Sequence, residues 1–247
     1  MTVRAIVFCS IVAFATGQAS AEWVLLSDFD SLNTGTLGNQ GGWTAAPDDI
    51  YQVTADPDNP ANQAVQVSSG GGNAYIALGG GVAEGETSTL FFRARNGNPG
   101  DLVFGSSDVA APAAWGDYEG YMRLAAGNVD VRDAGGFSNG GTYSADTWTN
   151  VWLVLDNASD MTTMYSSVGM EPAGNAVTGG FRNTTTDALV TANIRAGNNQ
   201  AGVNGYLDDI YMSAGTNLTN PVPEPNSLLL VLISGFCLTG LLRQRSR

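Results

Sequence analysis

The densest group of chemically useful side chains lies in Ala114–Arg123, which reads AWGDYEGYMR. Trp115, Tyr118 and Tyr121 fall within seven residues, beside Asp117, Glu119 and Arg123. An aromatic face suits the C–H side of a sugar while charged groups take its hydroxyls, and Trp and Tyr offer that surface at small entropic cost. The same rings would equally serve a loop folded over an edge of the domain. Trp152, within TWTNVWLVLD, is a further candidate of this kind, and Trp43 and Tyr75, near glycines, are weaker ones. A second group is the acidic pair Asp208-Asp209 in GYLDDIYMS. On a strand, neighbours face opposite sides, so one carboxylate meets a packed layer and must be paired, hydrogen-bonded or metal-bound.

The residue types that are missing narrow the chemistry further. The 247-residue chain has no histidine and no lysine, and its two cysteines, Cys9 and Cys237, lie near the ends. A Ser-His-Asp triad, a His-ligated zinc, a thiol nucleophile, a Schiff base and a P-loop are therefore unavailable to the middle of the chain. Residues 22–220 hold six arginines against 22 acidic side chains, a net of −16. Phosphate neutralisation needs clustered cations, so nucleic acid is not an expected partner. A glycosidase needs only two carboxylates across a cleft. However, Glu84, Glu86, Glu119 and Glu171 follow no paired strand pattern, so binding is expected rather than catalysis.

The elements that must carry these residues read as short strands. Thirty-two glycines, with Asn, Asp and Pro clusters between apolar runs and no 3.6-residue period in the middle, argue against helices. Strands are expected at 22–29, 50–54, 64–67, 73–78, 88–95, 102–105, 121–125, 128–132, 147–156, 162–168, 189–195 and 205–213. This predicts an all-β fold, a two-sheet antiparallel sandwich of jelly-roll type. Within 147–156, Val151, Leu153 and Leu155 share one face and Trp148, Asn150, Trp152 and Val154 the other. The first set is a buried face. The glycines at 70–72 and 79–81 read as turns, and DPDNPAN, 56–62, as a Pro-stiffened surface turn without the Gly and Glu of an EF-hand loop.

Three segments, DFDSLNTGTLGNQGGW (28–43), TWTNVWLVLDNASD (147–160) and GYLDDIYMS (205–213), in that order and spacing, resemble concanavalin A-like (laminin G-like) lectin/glucanase domains. The resemblance implies a curved sandwich whose first and last strands pair, often with structural calcium and often with glycan on one sheet. The E-x-D-x-x-E signature of laminarinase-type glucanases is missing. With the first strand beside the last, Asp28 and one of Asp208 or Asp209 would form a calcium site together with backbone carbonyls, since Ca²⁺ takes oxygen ligands only. An Asp bonded to turn amides is the competing reading.

Both ends read as addresses. Arg4, the apolar run Ala5–Ala15 and Ala19-Ser20-Ala21 make a signal peptide over 1–21 for signal peptidase, with no lipoprotein box before Cys9. The sandwich then occupies 22–218. The tail, 219–247, holds Pro223-Glu224-Pro225, an apolar run Ser227–Leu242, and Arg243, Arg245 and Arg247. It resembles the PEP-CTERM sorting signal of Gram-negative bacteria, which implies an exosortase as processing partner and an association with exopolysaccharide and biofilm. As a helix, 227–242 would reach roughly 24 Å, short of a ~30 Å bilayer core, and its basic tip would face the cytoplasm. The expectation is an exported, cell-surface or extracellular protein, membrane-held at least transiently, that binds polysaccharide. A structural or adhesive matrix protein and a carboxylate-only glycosidase are the alternatives. Mass spectrometry of the mature protein is expected to find Glu22 at the N-terminus and a C-terminus short of Arg247. A chain intact through Arg247 in cells with active exosortase would overturn the processing.

Overall fold

The computed structural model describes residues 21–68, 71–169, 176–197, 202 and 204–222. The leader and the tail motif from Pro223 to Arg247 lie outside these residues. The described strands, in chain order, are β1 (Val24–Ser27), β2 (Gly35–Thr36), β3 (Thr44–Ala46), β4 (Tyr51–Ala55), β5 (Gln63–Val67), β6 (Asn73–Val82), β7 (Thr87–Asn96) and β8 (Asp101–Ser107). They continue with β9 (Tyr121–Ala125), β10 (Asn128–Asp133), β11 (Gly136–Thr142), β12 (Thr149–Asp156), β13 (Met161–Ser167), β14 (Val177–Gly180), β15 (Leu189–Ala196) and β16 (Gly205–Ala214). Among the described residues, helix is confined to two three-residue 3₁₀ turns, at Asp48–Ile50 and Trp115–Asp117.

These strands form two antiparallel sheets packed as a sandwich. One has nine strands, ordered β14-β13-β12-β7-β16-β5-β4-β2, with β1 beside β16. The other has seven, ordered β11-β10-β9-β8-β15-β6-β3. The first and last strands do pair, with Val24 opposite Met212.

The core forms because alternation aims one face of every long strand inward. Val151, Leu153 and Leu155 of β12 join Leu90 and Phe92 of β7, and meet Phe104, Met122 and Ile194 from the facing sheet. Phe92 and Phe104 close the gap with ring centroids 4.3 Å apart. Each such side chain contributes about 1.5–3 kcal/mol by leaving water. Twelve expected strands correspond to observed ones; β2, β3, β11 and β14 are additional. Gly79–Gly81 do not form a turn but lie inside β6, where the pairing with β15 slips by a bulge and Gly81 adopts φ +72°.

Part of the outer face of the nine-stranded sheet is covered by the segments that precede β1 and follow β16. Phe91 and Trp152 point away from the core, yet both are fully buried. Their rings pack edge-on at 5.1 Å, and Trp23 meets Phe91 at 6.1 Å. Trp152 Nε1–H donates to the Thr219 carbonyl and Trp23 Nε1–H to the Thr219 hydroxyl, each at 3.0 Å. Asn217 braces the segment after β16: its Nδ2 donates to Ser213 Oγ (3.0 Å) and its Oδ1 accepts the Thr219 hydroxyl (2.7 Å), while its bond to the Ala21 carbonyl (2.8 Å) belongs to the chain before the cleavage expected at Glu22. Asn217→Ala would strand these partners, at a cost of about 1–3 kcal/mol. Denaturant unfolding of this variant is expected to show that loss together with red-shifted tryptophan emission. An unchanged midpoint and spectrum would contradict the clamp.

Candidate functional site

The outer face of the seven-stranded sheet gathers most of the aromatic residues singled out in the sequence. Along β8, β9, β10 and β15, Leu102, Phe104, Met122, Leu124, Val129, Val131, Ala192 and Ile194 enter the core, so the residues between them point outward. Pairing registers align these into rows. One row runs Arg195, Val103, Arg123, Asp130, Asn139. The next runs Thr44, Tyr75, Asn193, Gly105, Tyr121. Gly105 is needed there because a Cβ would fall 2.1 Å from Tyr121 Cβ. Its missing side chain lets the Tyr121 ring lie close over the sheet.

The connection from β8 to β9 folds over this floor. Asp117 accepts the amides of Ala113 (2.7 Å) and Ala114 (2.8 Å), and the Ser107 hydroxyl donates to the Asp117 carbonyl. These bonds fix the 3₁₀ turn that presents Trp115. Glu119 is buried and accepts the Asn183 amide (2.8 Å) and side chain (2.7 Å), fastening the 181–185 loop alongside. Burial raises the Glu119 carboxyl above its ordinary range despite those bonds.

Depth separates the rings. Tyr118 and Tyr121 are fully buried, whereas Trp115 and Phe137 are half-exposed. Tyr118 donates to Asn73 Oδ1 at 2.9 Å, and burial holds its hydroxyl well above the usual phenol range. The expectation that Tyr118 and Tyr121 meet a ligand directly is therefore corrected: they are the underside of the patch, because Val103 and Gly105 leave room for them on the sheet. Trp152 is corrected too. It belongs to the opposite sheet, sealed beneath Trp23 and Thr219. Trp43 is buried in the core against Phe29, whereas Tyr75 stands half-exposed in the outer row.

Arg123 holds Asp130 at 2.9 Å and lies 3.6 Å over the Phe137 ring. Arg195 lies 4.7 Å over Trp115 and donates to Asn73 Oδ1. Arg132 lies between Tyr121 (5.8 Å) and Phe137 (5.3 Å), and Arg182 Nη1 donates to the Tyr121 hydroxyl at 3.2 Å. Sequence reasoning named only Arg123. The signal for the others was available in the alternation Val129-Asp130-Val131-Arg132 and Ile194-Arg195, which aims each arginine outward once its apolar neighbours are assigned to the core. Among the described residues, Arg132 Nε, Arg195 Nε and both side-chain polar atoms of Asn193 are buried without hydrogen-bond partners.

The acidic pair sits on the other sheet. Between Asp208, opposite Arg93, and Tyr211, opposite Phe91, β16 carries one residue more than β7, and Asp209 takes φ +53° in this bulge. The bulge breaks the strict alternation, so both carboxylates reach Arg93, at 3.7 and 3.1 Å. Asp208 is fully buried and also accepts from Asn62 Nδ2 (2.8 Å) and from the Asp209 amide (2.8 Å). Burial, then repulsion from Asp209, pushes the Asp208 carboxyl up to about 8; burial likewise raises Asp209, with Asp28 and Asp30 adding to it. Trp148 extends the cluster, stacking under Arg93 at 4.6 Å and donating to Asp56 at 3.2 Å. Asp28 accepts the Asp30 amide at 3.2 Å. Among the described residues no three acidic, Cys or His side chains converge as a metal set. Asp208 and Asp209 form an ion-pair cluster with Arg93, and Asp28 is not part of that pairing.

No protein-family model matches this chain, and no curated protein matches it either. Among solved structures, a sialidase superposes with TM-score 0.57 at 12% identity, over 78% of this chain and 18% of its own. Lectin UEA-II, solved with galactose, superposes with TM-score 0.51 at 9% identity, over 80% of this chain and all of its own. Peanut lectin, solved with a nine-residue peptide, gives 0.50 at 7%, over 81% of this chain and all of its own. The chain thus spans about a fifth of the sialidase and the full length of both lectins. At these identities the likeness is one of fold, a concanavalin A-like lectin sandwich.

A carboxyl whose pKa is raised by folding keeps a proton that the unfolded chain releases, so its contribution is present at low pH and lost as pH rises through the folded value. Melting temperature is therefore expected to fall as pH rises from the ordinary carboxyl value of 3.8 through about 8, and Asp208→Asn is expected to flatten that fall. EGTA or millimolar calcium is expected to leave the wild-type midpoint unchanged. A slope untouched by the substitution would contradict the assignment, and a calcium-dependent rise would restore the metal at Asp28 and Asp209.

Proposed function

We propose that this protein is an exported, non-catalytic polysaccharide-binding domain that works from the outer face of its seven-stranded sheet. The observation that carries the reading is Trp115, a half-exposed indole held in place by Asp117 and the 3₁₀ turn and flanked by Arg195. Buried Tyr118 and Tyr121 support it from below. Asn73 lies buried beneath, accepting from Tyr118 and Arg195, and Tyr75 and Arg123 stand on neighbouring rows of the same face as polar groups able to orient a sugar. The shared fold with lectin UEA-II, whose structure holds galactose, agrees with this use of the sandwich.

The engagement of the carboxylates on this face supports a binding role over turnover in our reading. Asp130 is tied to Arg123. Glu119 is occupied by Asn183 and Asp117 by its own loop amides. None of these is placed as half of an acid and nucleophile couple. In our reading, the leader directs export through signal peptidase, and the 219–247 tail engages the membrane and an exosortase. The domain then acts at the cell surface or in the extracellular matrix.

A glycan array probed with the mature protein is expected to give selective binding. Trp115→Ala should weaken it about tenfold or more, the scale of losing a central aromatic anchor. Because Trp115 is half-exposed, its melting temperature should move only a few degrees. An empty array, or a variant that binds like wild type, would overturn the reading and favour a matrix protein without a glycan site.

A further inference from the structure

The positive charge of residues 22–220 rests on six arginines in a segment with 22 carboxylates. Three of them have acidic partners: Arg93 with Asp208 and Asp209, Arg95 with Asp58 and Asp146, and Arg123 with Asp130. The other three, Arg132, Arg182 and Arg195, form no ion pair among the described residues. All three meet the same aromatic cluster. Arg195 covers Trp115, Arg132 lies by Tyr121, and Arg182 donates to the Tyr121 hydroxyl.

So many carboxylates would ordinarily neutralise three guanidinium groups. Around this face they are directed elsewhere. Asp101 and Asp130 both border Arg123. Asp117 holds Ala113 and Ala114, Glu119 holds Asn183, and Asp133 accepts Gly180 N–H and the Ser138 hydroxyl. Aromatic faces stabilise the guanidiniums but leave their N–H groups unused. The unpartnered, buried Nε of Arg195 and Arg132 are examples. A guanidinium presents its donors as a planar fork that fits carboxylate and sulfate oxygens.

We propose that the ligand of this face is an acidic polysaccharide, with a sugar ring on Trp115 and its carboxylate or sulfate groups bound by Arg195 and Arg182. Arg132, held between Tyr121 and Phe137, adds charge beneath the contact rather than contact itself. This rests on the polysaccharide-binding reading and specifies its substrate class. The rest of the domain is acidic, so long-range attraction cannot supply the binding. At physiological salt the screening length is about 8 Å, and the local arginines decide the outcome.

The test measures the mature protein at 0.15 M salt (~8 Å screening) against polygalacturonate, fully methyl-esterified polygalacturonate, alginate, dextran sulfate and dextran. At least one acidic polymer should bind tenfold or more tightly than its neutral counterpart, and uronate against sulfate identifies the anion. Arg195→Gln and Arg182→Gln should each remove most of that preference, while Arg95→Gln on the opposite sheet should keep it. If neutral polymers bind as tightly as acidic ones and Trp115→Ala abolishes both, the sugar-binding reading stands and the acidic-ligand inference fails. If no acidic polymer binds, or binding ignores both arginines, the inference is overturned.

Discussion

Six guanidinium groups must balance a strongly acidic domain, and where each finds its partner determines the character of each face of the sandwich. On the nine-stranded sheet, Arg93 and Arg95 are taken up by Asp208, Asp209, Asp58 and Asp146. Their positive charge is spent internally. On the seven-stranded side, Arg132 and Arg195 rest on aromatic rings with Nε atoms that have no hydrogen-bond partner, and Arg182 donates to the Tyr121 hydroxyl. A guanidinium on a ring is stabilised without being neutralised, and so remains available to an incoming anion.

The two outer faces are also covered by different means. Part of the nine-stranded face is covered by the segments flanking β1 and β16, with Trp23 over Phe91, Thr219 over Trp152, and Asn217 holding Thr219. That cover is hydrogen-bonded to the sheet and seals Phe91 and Trp152, while Trp148, Tyr165, Tyr206 and Tyr211 stay half-exposed around it. The seven-stranded face is covered only by the β8–β9 connection, anchored at Asp117 and Glu119. The connection buries Tyr118 and Tyr121 and leaves Trp115 half-exposed. Gly105 is the local condition for this arrangement, since any larger residue would push Tyr121 off the floor.

Much of the fold was legible because period-two patterning survives wherever one strand face is buried. Val151, Leu153 and Leu155 fell on the core side as their spacing required. The missed strands lack that signal. β11, GFSNGGT, lies at an edge with little apolar alternation, and β2 is two residues long. The site was half legible. Composition drew attention to Trp115, but depth could not be read: nothing in the sequence tells that Gly105 would admit Tyr121, or that Thr219 would cap Trp152 from 67 residues away. The Asp208-Asp209 pair misled for a definite reason, since a bulge adds one residue and brings both carboxylates to Arg93.

The central claim is that the arginine-lined aromatic face of the seven-stranded sheet receives the ligand. Side-chain Nε–H NMR of the mature protein during titration with a bound acidic oligosaccharide addresses it directly, because six arginine signals report on both faces at once. The account requires the Arg195 and Arg182 resonances to shift and saturate together while those of Arg93 and Arg95 stay in place. Shifts confined to Arg93 and Arg95 would put the contact on the opposite sheet and contradict it.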